Sequence, residues 1–482
     1  MSRCKLLLRI PMTVLSPLLT MALFAAACNG DGTDDTPTDT VGQPADTMTE
    51  DESREDGSEN GTSAGSDDMV EATNIEALFF PIFRPEGDLI AEQVREVSGF
   101  ENTVLLGADG LLSDDFLALP QSEGMYFSGP DLRYGSNTNE ATGKTPEAFL
   151  VNYERFYDES PSAGFWGHSY DATTILLDAI EAASTVDGDQ RLVIDRAGVR
   201  QYFDELRNYS GITGSLSCDT FGDCGAQKIA IIHHTDSNDV SASKDNVNYE
   251  FAGNAGVRSD DAIQSELPLG DGSLGVVVVV PGEAIQIRSL QIISGDNAPL
   301  GLTNERAIRM AVEDFGEIRG FEVEVGPGLD DLCSADGGQA AAQTIVADER
   351  VVGVIGTSCS GAAVAAAPLL TEAGITMVSS SNTSPSLTSD LKGNPGENYT
   401  RGYYRTAHND LFQGEAMARF VYESLNLKTA AAIHDGDPYT QGLAEAFANA
   451  YRDLGGEIVQ IEGISKGDTD MVPVLTSIAA AS

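Results

Sequence analysis

From residue 75 onward the apolar positions alternate between short β-branched runs and longer stretches of helical period. Residues 75–83 read as a strand, and 86–97 as a helix with Leu89, Ile90, Val94 and Val97 on one face. Strands are predicted at 103–106, 124–127, 214–217 and 229–233, with helices at 149–157, 168–183 and 196–208. Residues 236–274 are polar and rich in Gly and Asp, so a linker is expected over 237–279. A second series follows, with strands at 284–292, 322–325, 351–355, 376–379, 429–434 and 457–461. Helices between them are predicted at 304–315, 338–347, 361–373, 411–424, 441–454 and 471–481. Strands that alternate with helices are the pattern of an α/β fold with parallel sheets. The two series, 73–236 and 280–482, do not repeat one another; they read as complementary pieces.

The first 72 residues have a different texture. Arg3, Lys5 and Arg9 precede an apolar stretch that ends Phe24-Ala25-Ala26-Ala27-Cys28. A basic start, a short apolar core and small residues at the end describe an export signal over 1–28, too short and too broken by Pro11 and Pro17 to span a bilayer. A Cys directly after the small residues resembles a bacterial lipobox, which implies lipidation at Cys28 and an extracytoplasmic, membrane-anchored protein; Ala25 stands where Leu is usual. Residues 29–72 hold fourteen acidic side chains and one basic one, Arg54, with almost no large apolar residues. That composition predicts a disordered acidic linker. Its Gly61-Thr62-Ser63-Ala64-Gly65 has the form G-x-S-x-G, but no strand precedes it and no helix follows, so a hydrolase elbow is not expected.

Composition narrows the function further. With 28 Lys and Arg against 75 Asp and Glu, the net charge is −47, and no basic stripe offsets it, which argues against nucleic acid as a partner. Four cysteines remain after Cys4 and Cys28. Cys218 and Cys224 flank a short loop, and Cys333 and Cys359 each stand at the mouth of a βα unit. An even number in an exported protein reads as two disulfides, Cys218–Cys224 and Cys333–Cys359. Neither C-x₂-C nor nearby histidines suggest zinc, and adjacent His233 and His234 on a strand point to opposite faces. Gly326-Pro327-Gly328 lacks the third glycine of a dinucleotide loop, and no phosphate-binding G-x-x-x-x-G-K-[ST] occurs. No cofactor, no metal and no enzyme activity are expected.

Several motifs together resemble one family. Leu332-Cys333-Ser334, Val354-Ile355-Gly356-Thr357-Ser358-Cys359-Ser360-Gly361, Met377-Val378-Ser379-Ser380-Ser381-Asn382-Thr383-Ser384-Pro385 and His434-Asp435-Gly436-Asp437-Pro438-Tyr439 are similar to the solute-binding proteins of branched-chain amino acid ABC transporters, the type 1 periplasmic binding proteins. So are Ala77-Leu78-Phe79-Phe80-Pro81-Ile82-Phe83, Leu106-Gly107-Ala108-Asp109-Gly110, Glu123-Gly124-Met125-Tyr126 and Ser169-Tyr170-Asp171-Ala172. The resemblance implies two Rossmann-like lobes joined by a three-segment hinge, closing on a ligand in the cleft. It also implies a reversed order, because in that family the piece resembling 280–482 comes first. The chain is therefore expected to be circularly permuted, one lobe taking roughly 280–408 with 140–226 and the other roughly 409–482 with 73–130.

Loops at the carboxyl ends of parallel strands, leading into helix N-termini, suit an anionic group. The amides of the loop from Ser358 and the Ser360 hydroxyl can hold a carboxylate, and Ser381 and Thr383 can supply further carbonyl and hydroxyl contacts. The resemblance implies that these are the anchors of an α-amino acid, although Ser360 and Thr383 also suit helix caps. It places Asp109 against the ammonium and Tyr439 over the ligand, with Phe83 and Trp166 as side-chain walls. Leu300 stands where some relatives carry an aromatic. The implied partners are a small-molecule ligand (an amino acid or amide), an ABC permease and a lipid anchor. A ligand-sensing receptor subunit on the same fold is the alternative.

Overall fold

The computed structural model describes residues 75–253 and 267–481. The expected export signal, Cys28 and the 29–72 segment lie outside the described residues, which belong to one compact unit.

Two parallel sheets dominate. The first has seven strands in the spatial order Glu457–Gly463, Thr429–His434, Ala77–Phe79, Val104–Gly107, Tyr126–Pro130, Lys228–His233, Val247–Ala252. The first five are mutually parallel; the last two run antiparallel. Ala77–Phe79, from the start of the described chain, lies between a strand near the chain's end and Val104–Gly107, pairing Ala77 with both Ala430 and Val104. The alternation expected of a strand covered on both faces is plain here. Ala77, Phe79, Ala430 and Ala432 pack on one side, while Leu78, Ala431 and Ile433 pack on the other. Helix Val472–Ala480 adds Leu475 and Ile478 to that second face.

The second sheet runs Val323–Val325, Ile285–Gln291, Val351–Gly356, Thr376–Ser379, Tyr403–Arg405, all parallel. Val351–Gly356 is buried at every residue, as a central parallel strand covered by helices on both faces must be. Helices Ala335–Val346 and Ser360–Glu372 pack on one face, and Trp166–Ala182 and Ala298–Phe315 on the other.

The chain passes between the sheets after Pro130, before Lys228 and after Arg405. Two of these passages lie side by side. Asp223 and Arg405 form a bridge and a buried ion pair, and Asn409 Nδ2 donates to Asp223 Oδ2 at 3.2 Å. A Cβ on Gly225 would meet the Thr406 carbonyl oxygen at 2.2 Å, so only glycine lets the passages touch.

The expected bare linker over 237–279 is corrected in part. Its described residues include helix Val240–Asp245, strand Val247–Ala252 extending the first sheet, and strand Val276–Val279 paired antiparallel with Leu192–Asp195. Polar composition hid Val247–Ala252, where the alternate residues Asn248 and Glu250 are polar and exposed.

Candidate functional site

Both parallel sheets turn their carboxyl ends toward one another, so the loops that follow their strands meet. From the second sheet come Thr357–Cys359, Ser380–Ser384 and the loop leading to Asn297; from the first come Phe80–Pro85, Ala108–Gly110 and Asp435–Asp437. One apolar cluster crosses the junction: Ile292, Leu300, Cys333 and Cys359 from the second-sheet side, with Phe83, Ala108 and Tyr439 from the other, and Phe165.

The sequence-predicted residues separate into three groups. Asp109, Tyr439 and Phe83 come together. Tyr439 Oη donates to Asp109 Oδ1 at 3.2 Å and accepts from the Gly110 amide at 3.1 Å. The Phe83 and Tyr439 rings lie 5.0 Å apart. Ser358 and Ser381 are also buried at the junction, but their hydroxyls are engaged. Ser358 Oγ donates to Gln291 Oε1 at 2.7 Å and accepts from the Ile292 amide at 3.1 Å. Ser381 Oγ donates to the Ser358 carbonyl at 3.1 Å and accepts from Asn304 Nδ2 at 3.2 Å. Ser360, the first residue of helix Ser360–Glu372, takes one bond at its Oγ, from the Ser384 amide at 3.3 Å. Trp166 lies elsewhere: its ring stacks on Phe149 at 4.8 Å and meets Tyr134 edge-on at 5.3 Å. Its helix points Phe165 into the junction instead, because neighbouring residues at a helix start face different directions.

The residues that sequence reasoning missed are Asp410, Gln413 and His408. Asp410 is fully buried; neither carboxylate oxygen has a hydrogen-bond partner of good geometry, and neither does Thr383 Oγ1. Burial, with the nearby negative charge of Asp109, raises the Asp410 carboxyl well above its ordinary range; Thr383 and Arg405 act the other way. Asp109 is pushed up to about 6 by burial, against bonds from Gln413 and Tyr439. Gln413 Nε2 donates to Asp109 Oδ1 at 2.6 Å and to the Ser128 carbonyl at 3.1 Å, and His408 Nε2 donates to Gln413 Oε1. Burial lowers His408 to about 4, so it is a neutral ring that orients Gln413. In the sequence Asp410 passes for an ordinary first-turn acid next to the Asn409 cap, which accepts from the Leu411 amide at 3.0 Å.

The disulfides form as expected, Cys218 with Cys224 and Cys333 with Cys359. The second ties Cys359, the cap of helix Ser360–Glu372, to the loop of Asp331. That carboxylate accepts from the Ser358 amide at 2.6 Å and the Cys333 amide at 2.8 Å.

Direct contacts also close the junction. The Asn297 side chain pairs twice with the Arg84 backbone, accepting from its amide at 3.2 Å and donating to its carbonyl at 2.9 Å. Ser384 Oγ donates to the Pro438 carbonyl at 2.9 Å, and Lys466 Nζ to the Cys333 carbonyl at 3.2 Å. A Cβ on Gly361 would lie 2.3 Å from Asp437 Oδ2. Among the described residues no group of His, Cys, Asp or Glu has the arrangement of a metal site. Chemically, the place holds two carboxylates and a free hydroxyl beside a helix N-terminus and an aromatic pair. It is suited to a group bearing N–H donors and positive charge.

The sequence profile of the periplasmic binding protein family matches residues 284–482. An amino acid binding protein of Pseudomonas aeruginosa is 30% identical over 191 residues, 39% of this chain and 49% of that protein. The leucine-specific-binding protein of Salmonella typhimurium is 30% identical over 200 residues, 40% of this chain and 51% of that one. Among solved structures, a leucine binding protein from Thermotoga maritima is 26% identical, covering 41% of this chain and 54% of that one, with a TM-score of 0.37. The chain thus spans about half the length of the curated relatives it matches. Over residues 284–482, this chain is similar to the periplasmic binding protein family.

Proposed function

We propose that this protein is an extracytoplasmic solute-binding protein that captures a small ammonium-bearing solute of the amino acid type between its two lobes, for delivery to an ABC importer. The observation that carries the reading is the buried carboxylate of Asp410, unpartnered beside Asp109 and Thr383 where the two sheets face each other. Ionising a buried carboxyl that is short of hydrogen bonds is costly, and a ligand cation would offset that cost. Ser360 and the amides that open its helix take the ligand's carboxylate, and Tyr439 with Phe83 covers it. Trp166 has no part in the site. Closing the lobes excludes water, and the ligand favours the closed form because only that form brings both walls to it.

The reading includes the permuted order of the two pieces and a lipid anchor at Cys28. Support for the permutation comes from the first sheet, where Ala77–Phe79 pairs with Thr429–His434 as a neighbouring parallel strand. No enzyme chemistry is assigned: His168 and His408 are buried neutral rings pushed down to about 3 and about 4, chiefly by burial.

Thermal unfolding with leucine and with 4-methylpentanoate, which is leucine without its ammonium, tests the reading. At about 100 times its dissociation constant a ligand adds about 2.7 kcal/mol. An upward shift with leucine or another amino acid, absent with the deaminated acid, is expected. A shift with the deaminated acid or with benzoate, and none with any amine, would overturn it.

A further inference from the structure

At the pole of the second sheet farthest from the cleft, a groove of about 620 Å³ runs along the amino ends of strands Ile285–Gln291 and Val323–Val325. One wall is strand Val276–Val279, just before the family-matched residues. This strand pairs with Leu192–Asp195 on one side and, among the described residues, is the edge of its sheet. Its residues alternate. Val277 and Val279 enter the core, while Val276 and Val278 are 51% and 43% exposed. The facing wall carries Glu283, Glu317, Glu322 and Glu324, with Arg350 as its one cation. Arg350 is already engaged by Asp348, its Nε donating at 2.9 Å and Nη2 at 3.0 Å.

An open edge of valines is a template for strand addition, and proteins usually blunt such an edge with Lys, Pro or a bulge. Val276–Val279 itself carries no Lys, Pro or bulge, and among the described residues the acidic wall faces it. That wall decides the occupant. A second copy of a chain with net charge −47 would bring more negative charge to the acidic wall.

We propose that this groove is a docking site for an extended cationic segment of another protein, which adds as a strand beside Val276–Val279. Its apolar residues lie on Val276 and Val278, and its Lys or Arg residues face the glutamates. The period of two along a strand sorts the segment's side chains onto these two walls.

The test uses the full chain and a fluorescent octapeptide alternating Lys and Val, with an alternating Glu-Val peptide beside it, read by anisotropy. Binding of the Lys-Val peptide is expected. It should weaken about tenfold or more in Glu283→Lys/Glu317→Lys, whose exposed side chains leave the fold intact. Amide hydrogen exchange should slow across Val276–Val279 when the peptide binds. Equal binding of both peptides, indifference to the charge reversal, or no binding at about 1 mM would each overturn the proposal. So would a concentration-dependent dimer abolished by Val278→Lys, which would make the occupant a second copy. None of these results touches the cleft reading, which depends on the opposite end of the sheet.

Discussion

Where Ser358 and Ser381 lie buried at the junction, each hydroxyl both donates and accepts within the protein, and the loop is held by its own bonds. A short distance along the same loop, Thr383 Oγ1 faces Asp410, and neither it nor either Asp410 oxygen has a hydrogen-bond partner of good geometry. The residue types on the two sides suggest the reverse, since a run of serines looks like a ligand wall and an acid in a first helical turn looks like a helix former. What separates them is unspent hydrogen-bonding capacity in a buried place. A satisfied buried hydroxyl gains nothing from a ligand, whereas a bare buried carboxylate gains a great deal.

The largest test of that contrast is Asp410→Asn. Removing the charge should weaken amino acid binding on the order of 100-fold and yet raise the melting temperature of the ligand-free protein at pH 7. The pH dependence should show the same opposition. Burial raises Asp109 to about 6, and raises Asp410 as well, so the folded chain retains protons that the unfolded chain releases from about pH 4 upward. These groups therefore make the ligand-free fold less stable as pH rises through that window, while affinity for an ammonium ligand improves as they ionise. Calorimetric titration and unfolding at pH 5 and pH 7 measure the two trends. If both moved in the same direction, the carboxylates would not be the cation site.

A smaller effect is expected from Gly361→Val. The added Cβ collides with Asp437 Oδ2, which is held by Lys466 at 3.2 Å, while the opposite carboxylate oxygen caps the Tyr439 amide at 3.0 Å. Neither lobe needs to change, but their approach is blocked. Affinity should fall about 10-fold, and small-angle scattering with saturating ligand should keep the larger radius of the open form. An unchanged closed radius would show that Asp437 yields. Smallest at the site is Ser358→Ala, which strands the Ile292 amide and leaves Gln291 Oε1 with only the bond from Asn304 Nδ2. It should cost about 1–3 kcal/mol of unfolding free energy while affinity stays within about threefold. A large affinity loss at wild-type stability would return Ser358 to the ligand wall.

Several features of the protein were legible before any fold was drawn. The strand and helix series followed from apolar periodicity. Both disulfides followed from the even count of the four remaining cysteines, and motif resemblance singled out Asp109, Tyr439 and Phe83, which the fold brings together. These are local or pairwise properties, carried by residues whose type restricts what they do. Three matters were settled only by tertiary structure. Trp166 stacks on Phe149 instead of lining the cleft, since one helical step redirects a side chain. Residues 237–279 contain strand Val247–Ala252, whose alternating polar residues gave no clear signature until a neighbouring sheet supplied an edge to pair with. Asp410 changes from a surface-type acid into a buried carboxyl whose ionisation is disfavoured, because the passage after Arg405 delivers it beside Asp109, 301 positions earlier in the chain. Sequence determines which groups exist and which local structure they prefer. Whether a group's charge and hydrogen bonds are already spent depends on neighbours distant in the chain, and only folding brings them together.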